Sequence, residues 1–299
     1  MKSLDNGKTW ETVTIVDHMD SVRMHEPILW KTPDGTIWHF WAQSYDWWDG
    51  RGGVWGMKLY DAENNLWTTP RRFCNGVMAT PPITLKNGEI MLPVSLWKCW
   101  KGQRYAYPNW GTSGVYVSVD NGETFSYVGG TNAKDSTFDE NAIVQRKDGS
   151  LYMIIRCAKS ISYTISKNEG RTWSEPKKLM DHTSSRSYLA KLPSNRYILV
   201  TNDDKKERKN LAVFYSTDEC KTWKKKLLLD ERLQVSYPAG CIDDCGRVYV
   251  AYDFNRYSDE EIYYSSFTEK DIQNEKIVEV NSFLKSLIVK GGKGQRCST

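Results

Sequence analysis

Four arginines in this sequence are the first residues of chemical interest. Arginine grips a carboxylate through two parallel, charge-assisted hydrogen bonds that lysine cannot copy. Arg156 follows an apolar run at 153–155, where an unpaired charge would be costly, so it needs a partner, which is either a substrate or Glu140. For the other three a plain surface position is an equal alternative; they are Arg186, Arg208 and Arg256.

Two further residues could supply an acid. His25 is of the one residue type that readily donates a proton near neutral pH, with a structural histidine as the alternative. Asp49 lies in a glycine-rich turn flanked by Trp47, Trp48 and Trp55, whose rings are of the kind that stack on sugar faces. The alternative for those tryptophans is packing between sheets.

An internal repeat, S-x-D-x-G-x-T-W, organises the segments that must position these residues. In each copy the Asp or Asn side chain can bond the backbone amides ahead of it, glycine supplies a positive φ, and the aromatic residue anchors the returning strand. The repeat therefore predicts a hairpin turn that holds itself together. Full copies begin at Ser3, Ser118, Ser166 and Ser216, the last three being 48 and 50 residues apart, and a decayed copy spans 60–67. The aromatic residues of the full copies are expected at equivalent, largely buried positions; they are Trp10, Phe125, Trp173 and Trp223.

A second turn repeat alternates with the first. Two turns in every 48 to 50 residues give a four-stranded up-and-down sheet that recurs radially, which predicts an all-β propeller. Four blades are complete, and a fifth is expected to close where residues 11–16 pair beside residues 261–267. Copies of the second repeat lie at 34–38, 87–91, 148–152, 194–198 and 245–249.

The propeller topology gathers residues that are distant in sequence. The start of each innermost strand and the end of the next strand lie at the same end of the central channel. Glu140, Arg186 and Tyr237 stand at strand starts, and Arg156 ends the strand that follows Glu140. These four residues are therefore predicted to meet at one mouth of the channel. The alternative is that these polar side chains have no function, because the mouth of any propeller is hydrated and can hold polar residues.

Composition narrows the classes of protein. The 299 residues are 39% hydrophobic. The net charge of +4 is spread in short alternating patches, so the charge distribution does not indicate that the protein binds nucleic acid or a membrane. No apolar run approaches the ~18 residues of a spanning helix and no signal region opens the chain, so a cytoplasmic location is expected. The seven cysteines include no C-x-x-C pair, which favours reduced thiols, and neither a metal nor a cofactor is expected.

The four repeats of the first kind are Asp-boxes, a specific signal, and from His25 to Ile272 the chain resembles the sialidase (neuraminidase) superfamily. It is especially similar to the sialidase-like, Asp-box (bacterial neuraminidase repeat) propeller proteins of bacteria. The resemblance implies a single propeller domain over residues 1–299. Besides the boxes, the stretches that carry it are 23–27, 48–55, 138–141, 185–186 and 235–238.

The resemblance also implies roles for particular residues. Sialidases use a tyrosine nucleophile activated by a glutamate, with three arginines on the substrate carboxylate, and a tyrosine needs such a base because its ordinary pKa is ~10. Matched by blade, Tyr237 corresponds to the nucleophile, Glu140 to its base and Arg156 to the second arginine, while Arg208 falls near the third. Sialidases have six blades, and most of the first has no counterpart here. Either five blades close around a different site, or a sixth is incomplete.

These implications predict a glycoside hydrolase, a sialidase-like exo-glycosidase that releases a terminal sugar from a glycan. The sugar is expected to be acidic, with a uronic acid or another sugar as alternatives to sialic acid because the first-blade arginine is missing. The expected partner is the glycan or a small acidic sugar. The rival hypothesis is a non-catalytic propeller that binds a carbohydrate or a protein, since Asp-boxes are structural and occur in both classes.

Overall fold

The computed structural model describes residues 2–5, 7, 9–12, 22–45, 50–97 and 111–291. Within these ranges the chain forms twenty-one strands and one short helix. The strands make five sheets in which consecutive strands pair, so each sheet is a propeller blade with four strand positions. The predicted all-β propeller of four-stranded blades is confirmed, and the number of blades is five.

Residues 12–180 form one compact unit that carries the first three blades, except that Asp181, the last residue of the third blade, belongs to the other unit. In the first blade the outermost position is shared by two short strands, both paired with the third strand. The first blade contains β1 (Arg23–Lys31), β2 (Ile37–Ser44), β3 (Gly53–Asp61), β4 (Leu66–Trp67) and β5 (Arg71–Cys74). The second contains β6 (Ile83–Thr84), β7 (Ile90–Ser95), β8 (Ser113–Ser118) and β9 (Ser126–Thr131). The third contains β10 (Ser136–Gln145), β11 (Leu151–Cys157), β12 (Ser160–Ser166) and β13 (Lys177–Asp181).

Residues 1–11 and 181–299 form the second compact unit, with the last two blades. The fourth blade contains β14 (Tyr188–Lys191), β15 (Tyr197–Asn202), β16 (Leu211–Ser216) and β17 (Lys224–Asp230). The fifth contains β18 (Val235–Ile242), β19 (Val248–Phe254), β20 (Glu261–Phe267) and β21 (Phe283–Lys290). Helix α1 (Glu269–Gln273) follows β20 and starts with a capping box between Thr268 and Asp271. No helix in the described part of the chain is long and apolar enough to cross a membrane.

The second turn repeat joins the first two strands of every blade. Its tip has a positive φ in each copy, which favours glycine or asparagine. The copy at 148–152 is typical, because the Arg146 amide donates to the Ser150 carbonyl and closes the turn between β10 and β11. The tip residues are Gly35, Gly88, Gly149, Asn195 and Gly246.

The Asp-boxes join the third and fourth strands of the second, third and fourth blades, and their hydrogen bonds explain the repeat. In the copy at 118–125, the Thr124 amide and hydroxyl donate to the two carboxylate oxygens of Asp120 at 2.9 and 2.6 Å. The Gly122 amide donates to Ser118 Oγ at 2.7 Å. The two backbone contacts recur in the other copies, and in the copy at 166–173 the Asn168 side-chain amide donates to the Thr172 hydroxyl, so each turn satisfies its own polar groups.

The aromatic residues that end the Asp-boxes each have most of their surface buried, in agreement with the prediction. Trp173 shows the packing, because its ring lies against a core cluster that contains Val115 and Leu151. Phe125 lies in the same way on the edge of a neighbouring core cluster.

The fifth blade is completed differently from the prediction. Both edges of β20 are filled, by β19 on one side and by β21 on the other, and neither Glu11 nor Thr12 pairs there. Glu11 pairs with Lys2 instead, and residues 13–16 lie outside the described residues. The N-terminal Asp-box contributes a side-chain contact, with the Trp10 ring edge-on to Tyr264 at 5.9 Å between centroids.

Candidate functional site

Tyr237 lies at the start of the innermost strand of the fifth blade, where the backbone is distorted. The register of β18 against β19 shifts between Ser236 and Ala239, which marks a β-bulge. Tyr237 has φ of 55°, a left-handed conformation that is unfavourable for a bulky residue. Bulges of this kind re-aim a side chain, and strained residues of this kind are concentrated at functional sites. Tyr237 is therefore a candidate on geometry alone.

Three arginines surround the ring of Tyr237. The guanidinium carbon of Arg256 lies 4.0 Å from the ring centroid, and those of Arg186 and Arg208 each lie 4.9 Å from it. All four side chains are half-buried. At these distances each guanidinium interacts favourably with the ring electrons. Of the four residues predicted to meet, Arg186 and Tyr237 are in contact, and Arg208 and Arg256 also contact the ring.

The three arginines come from three connecting segments at the same end of their hairpins. Arg186 precedes β14, Arg208 lies between β15 and β16, and Arg256 lies between β19 and β20. Backbone contacts fix two of the segments: Arg208 donates from Nη2 to the Ser184 carbonyl at 2.9 Å, and its own carbonyl accepts from the Val235 amide at 3.1 Å. The hydrogen bond between Val235 and Arg208 thus joins the fourth and fifth blades next to the three arginines.

The cluster of Tyr237, Arg186, Arg208 and Arg256, here called the arginine cluster, has the character of a carboxylate-binding site. Like charges held this close repel one another, and a bound anion relieves that repulsion. Arginine offers forked donors that match a carboxylate. Asp253 pairs with Arg256 and reduces the positive charge on that side.

Glu140 and Arg156 form a buried ion pair in the unit of residues 12–180. Arg156 Nη1 lies 3.0 Å from Glu140 Oε2, with the side chains 5% and 4% exposed. The guanidinium carbon also lies 4.8 Å from the centroid of Phe138. Of the two partners considered for Arg156, the structure supplies Glu140. The backbone next to Glu140 is held in place as well. The carbonyl of Asn141 accepts a hydrogen bond from Thr80 Oγ1, and its side-chain amide donates to the Gly114 carbonyl.

His25 lies in the same unit and is held by a serine and a tryptophan. Its Nε2 atom is 2.9 Å from Ser44 Oγ, and its ring stacks on Trp97 at 5.4 Å between centroids. Trp97 in turn contacts Phe138 at 5.6 Å between centroids, which connects His25 with the surroundings of Arg156. His25 is half-buried, so a proton-donating role stays open to it.

The structure thus brings the predicted residues together in two groups. Arg186, Arg208, Arg256 and Tyr237 belong to the unit of residues 1–11 and 181–299, whereas His25, Glu140 and Arg156 belong to the unit of residues 12–180. The predicted meeting of Tyr237 with Glu140 and Arg156 stays a prediction. Asp49 lies outside the described residues.

Sequence reasoning missed the residues that hold the functional candidates in place. Ser236 could have been noticed because a polar residue precedes Tyr237 at the start of an otherwise apolar strand. Phe138 lies in the stretch 138–141 that carries the family resemblance, although no positioning role was predicted for it. Trp97 carries no signal, because aromatic residues are frequent in this chain. Among the described residues no group of three or more His, Cys, Asp and Glu side chains could hold a metal ion.

Comparisons with known proteins place the fold. The Hadza microbial sialidase Hz136 superposes with a TM-score of 0.65 at 18% identity, over 84% of this chain and 55% of that one. The sialidase NanB of Streptococcus pneumoniae gives 0.58 at 16%, over 73% and 36%. The GH93 alpha-L-arabinofuranosidase of Fusarium graminearum gives 0.52 at 18%, over 86% and 82%. The chain therefore spans about half of the first sialidase and about a third of the second.

The sequence itself is matched by one family. No curated relative matches it significantly. The family model of the BNR repeat-like domain, however, matches residues 1–250, which include the first four blades, the first strand of the fifth and the start of its second strand. Together with the four Asp-boxes and the superposition on sialidases, this match shows that the chain belongs to the BNR repeat-like family of sialidase-like propellers.

Proposed function

We propose that this protein is an exo-acting glycoside hydrolase that releases a terminal acidic sugar from a glycan. The observation that carries the proposal is the arginine cluster, in which three guanidinium groups lie 4.0 to 4.9 Å from the ring of Tyr237. A neutral sugar offers nothing that would favour three positive charges at one place, whereas a sugar carboxylate accepts hydrogen bonds from them.

Tyr237 is the proposed nucleophile. An anomeric carbon that already carries a carboxylate suits a neutral tyrosine hydroxyl better than a second carboxylate, which is the known exception to the two-carboxylate scheme. The Tyr237 oxygen forms a bond to the anomeric carbon as the bond to the leaving oxygen breaks, and an acid protonates that oxygen. Water then attacks the same carbon and gives a proton to the group that had acted as the acid, the tyrosine oxygen departs and takes back the proton it had lost, and the free sugar is released.

The remaining candidates receive their roles from chemistry and from the family resemblance. Glu140 is the proposed base that takes the proton of Tyr237, and Arg156 is proposed to keep Glu140 ionised and oriented through their ion pair. His25 and Asp49 are the proposed proton donors to the leaving group. The proposed partner is a glycan or a small acidic sugar, and neither a cofactor nor a nucleic acid is needed for this chemistry.

A panel of methylumbelliferyl glycosides tests the proposal. It contains N-acetylneuraminic acid and glucuronic acid as acidic sugars, and arabinofuranose and glucose as neutral ones. We expect release from an acidic member, and we expect Arg208→Met to raise KM for it by about 10- to 100-fold, since a hydrogen bond to a charged group contributes roughly 1.5–3 kcal/mol. Arg171→Met, at an exposed residue of an Asp-box turn, is the matched control and should leave KM unchanged.

The same panel separates the rival hypotheses. Release of arabinose alone would favour the activity named for the Fusarium structure, of whose length this chain covers 82%. Binding of a sugar without release of any product would favour the non-catalytic propeller.

A further inference from the structure

Asp253 stands at the end of β19, directly behind the arginine cluster, and each of its carboxylate oxygens has a different partner. Oδ1 accepts a hydrogen bond from Ser236 Oγ at 2.7 Å. Oδ2 forms an ion pair with Arg256 Nη2, and that nitrogen also lies 3.4 Å from Ser236 Oγ. The Asp253 side chain is 12% exposed and that of Ser236 is buried, so this arrangement is largely shielded from water.

The contacts of Asp253 close a ring of four residues. Ser236 is bonded covalently to Tyr237, Asp253 binds Ser236, and Arg256 binds Asp253. Arg256 completes the ring, because its guanidinium carbon lies 4.0 Å from the centroid of Tyr237, closer than that of either other arginine. Arg256 comes from a loop, and an arginine side chain has about 2 kcal/mol of rotamer entropy to lose when it is ordered. The carboxylate is the group that can hold it.

We propose that Asp253 is a positioning residue for sugar binding: it holds Arg256 against Tyr237 so that the guanidinium is presented to the carboxylate of the substrate. The proposal rests on the proposed function, since it assumes that the arginine cluster binds an acidic sugar. Asp253 acts through Arg256 and Ser236 and does not itself contact the substrate.

Replacing Asp253 has two opposite electrostatic consequences, and the sign of the result decides between them. Asp253→Asn removes a negative charge near the cluster, which by itself would strengthen the binding of an anion. It also replaces the ion pair with Arg256 Nη2 by at most a neutral hydrogen bond to the amide oxygen, while the amide NH₂ group can donate to Ser236 Oγ. Because the neutral amide holds the guanidinium less firmly than the carboxylate does, we expect the loss of position to prevail.

The experiment compares Asp253→Asn, Asp253→Glu and the control Asp259→Asn with the wild-type protein. Asp259 lies in the same β19–β20 connection and accepts from Asn255, so the control removes a charge without touching Arg256. Calorimetry measures the binding of free N-acetylneuraminic acid and glucuronic acid, and the glycoside panel gives kcat and KM. For Asp253→Asn we expect the Kd and KM to rise about tenfold or more with little change in kcat, partial recovery in Asp253→Glu, and no change in the control.

A second readout separates this proposal from the proposed function. The side-chain NMR signals of Arg256 report directly on its rotation, and in Asp253→Asn we expect them to show faster guanidinium rotation than in the wild type. Tighter sugar binding in Asp253→Asn, or unchanged Arg256 signals, would overturn the positioning role. Wild-type protein that binds and cleaves none of the acidic sugars, with Arg256 loosened as expected in Asp253→Asn, would overturn the proposed function and the role in sugar binding, and would leave Asp253 as a structural anchor of Arg256.

Discussion

Arg156 Nη1 lies 3.0 Å from Glu140 Oε2 in surroundings that leave about a twentieth of either side chain exposed. Two charges removed from water in this way are costly to separate, because either one alone would remain buried without its partner. The pair therefore ties the strand start that carries Glu140 to the strand end that carries Arg156, and it fixes the orientation of the glutamate that is the proposed base.

We predict that Arg156→Met lowers the free energy of unfolding by about 3–5 kcal/mol, as expected when one member of a buried pair is removed. The double variant Glu140→Leu/Arg156→Met should recover most of that loss, since no unpaired charge remains. Urea denaturation followed by fluorescence measures both. The exposed pair Arg171–Glu169 is the control, with an expected loss in Arg171→Met of about 0–1 kcal/mol. Equal losses in Arg156→Met and Arg171→Met would contradict the buried pair.

Two glycines with the same backbone conformation but different surroundings give a matched test of packing. Gly170, in an Asp-box, has φ of 86°, and an added Cβ would lie 2.9 Å from Val115 Cγ2. Gly149, in the other turn repeat, has φ of 87° and nothing within 4 Å of that position. We expect Gly149→Ala to cost about 1–2 kcal/mol from the left-handed conformation alone and Gly170→Ala to cost roughly 1–3 kcal/mol more. Thermal unfolding of the two variants should show this order, and the reverse order would refute the packing of the Asp-box against β8.

Asp271 gives a pH-dependent prediction. Burial alone would raise the pKa of its carboxyl, but hydrogen bonds from Ser282 Oγ and from the amides of Val278 and Glu279 outweigh that effect and lower the pKa to about 2. A carboxyl whose pKa is lowered in the folded protein stabilises it above the unfolded value near 3.8, and the contribution disappears as the pH falls to about 2. Asp271→Asn should therefore cost roughly 2 kcal/mol near neutral pH and progressively less in acid.

The free energy of unfolding measured by urea at a series of pH values tests this dependence, with Glu175→Gln at an exposed position as the control. A cost of Asp271→Asn that stays constant from neutral pH to strong acid would show that the hydrogen bonds, and not the charge they stabilise, account for the effect.

The fold was accessible from the sequence to the extent that local chemistry determines it. The Asp-box and the second turn repeat satisfy their own backbone groups, so their period predicted four-stranded blades without knowledge of any long-range contact. The outer strand of the last blade was not predicted. Residues 283–290 form an apolar strand, but no turn repeat precedes them, and helix α1 separates them from β20.

The site was accessible to a smaller extent. Topology indicated which strand ends would share one end of a blade, and this was enough to associate Arg186 with Tyr237. It could not distinguish an arginine that faces a substrate from one that is paired internally, because that difference depends on where a single carboxylate lies. Arg156 binds Glu140 and Arg256 binds Asp253, and neither contact leaves a periodic signal in the sequence.

The turnover of Tyr237→Phe on an acidic glycoside tests the central claim most directly, because the change removes one hydroxyl and leaves the ring among Arg186, Arg208 and Arg256. We predict that kcat falls by orders of magnitude, while the thermal midpoint and the Kd for the free acidic sugar stay close to the wild-type values. Turnover equal to that of the wild-type protein would contradict a tyrosine nucleophile at this site.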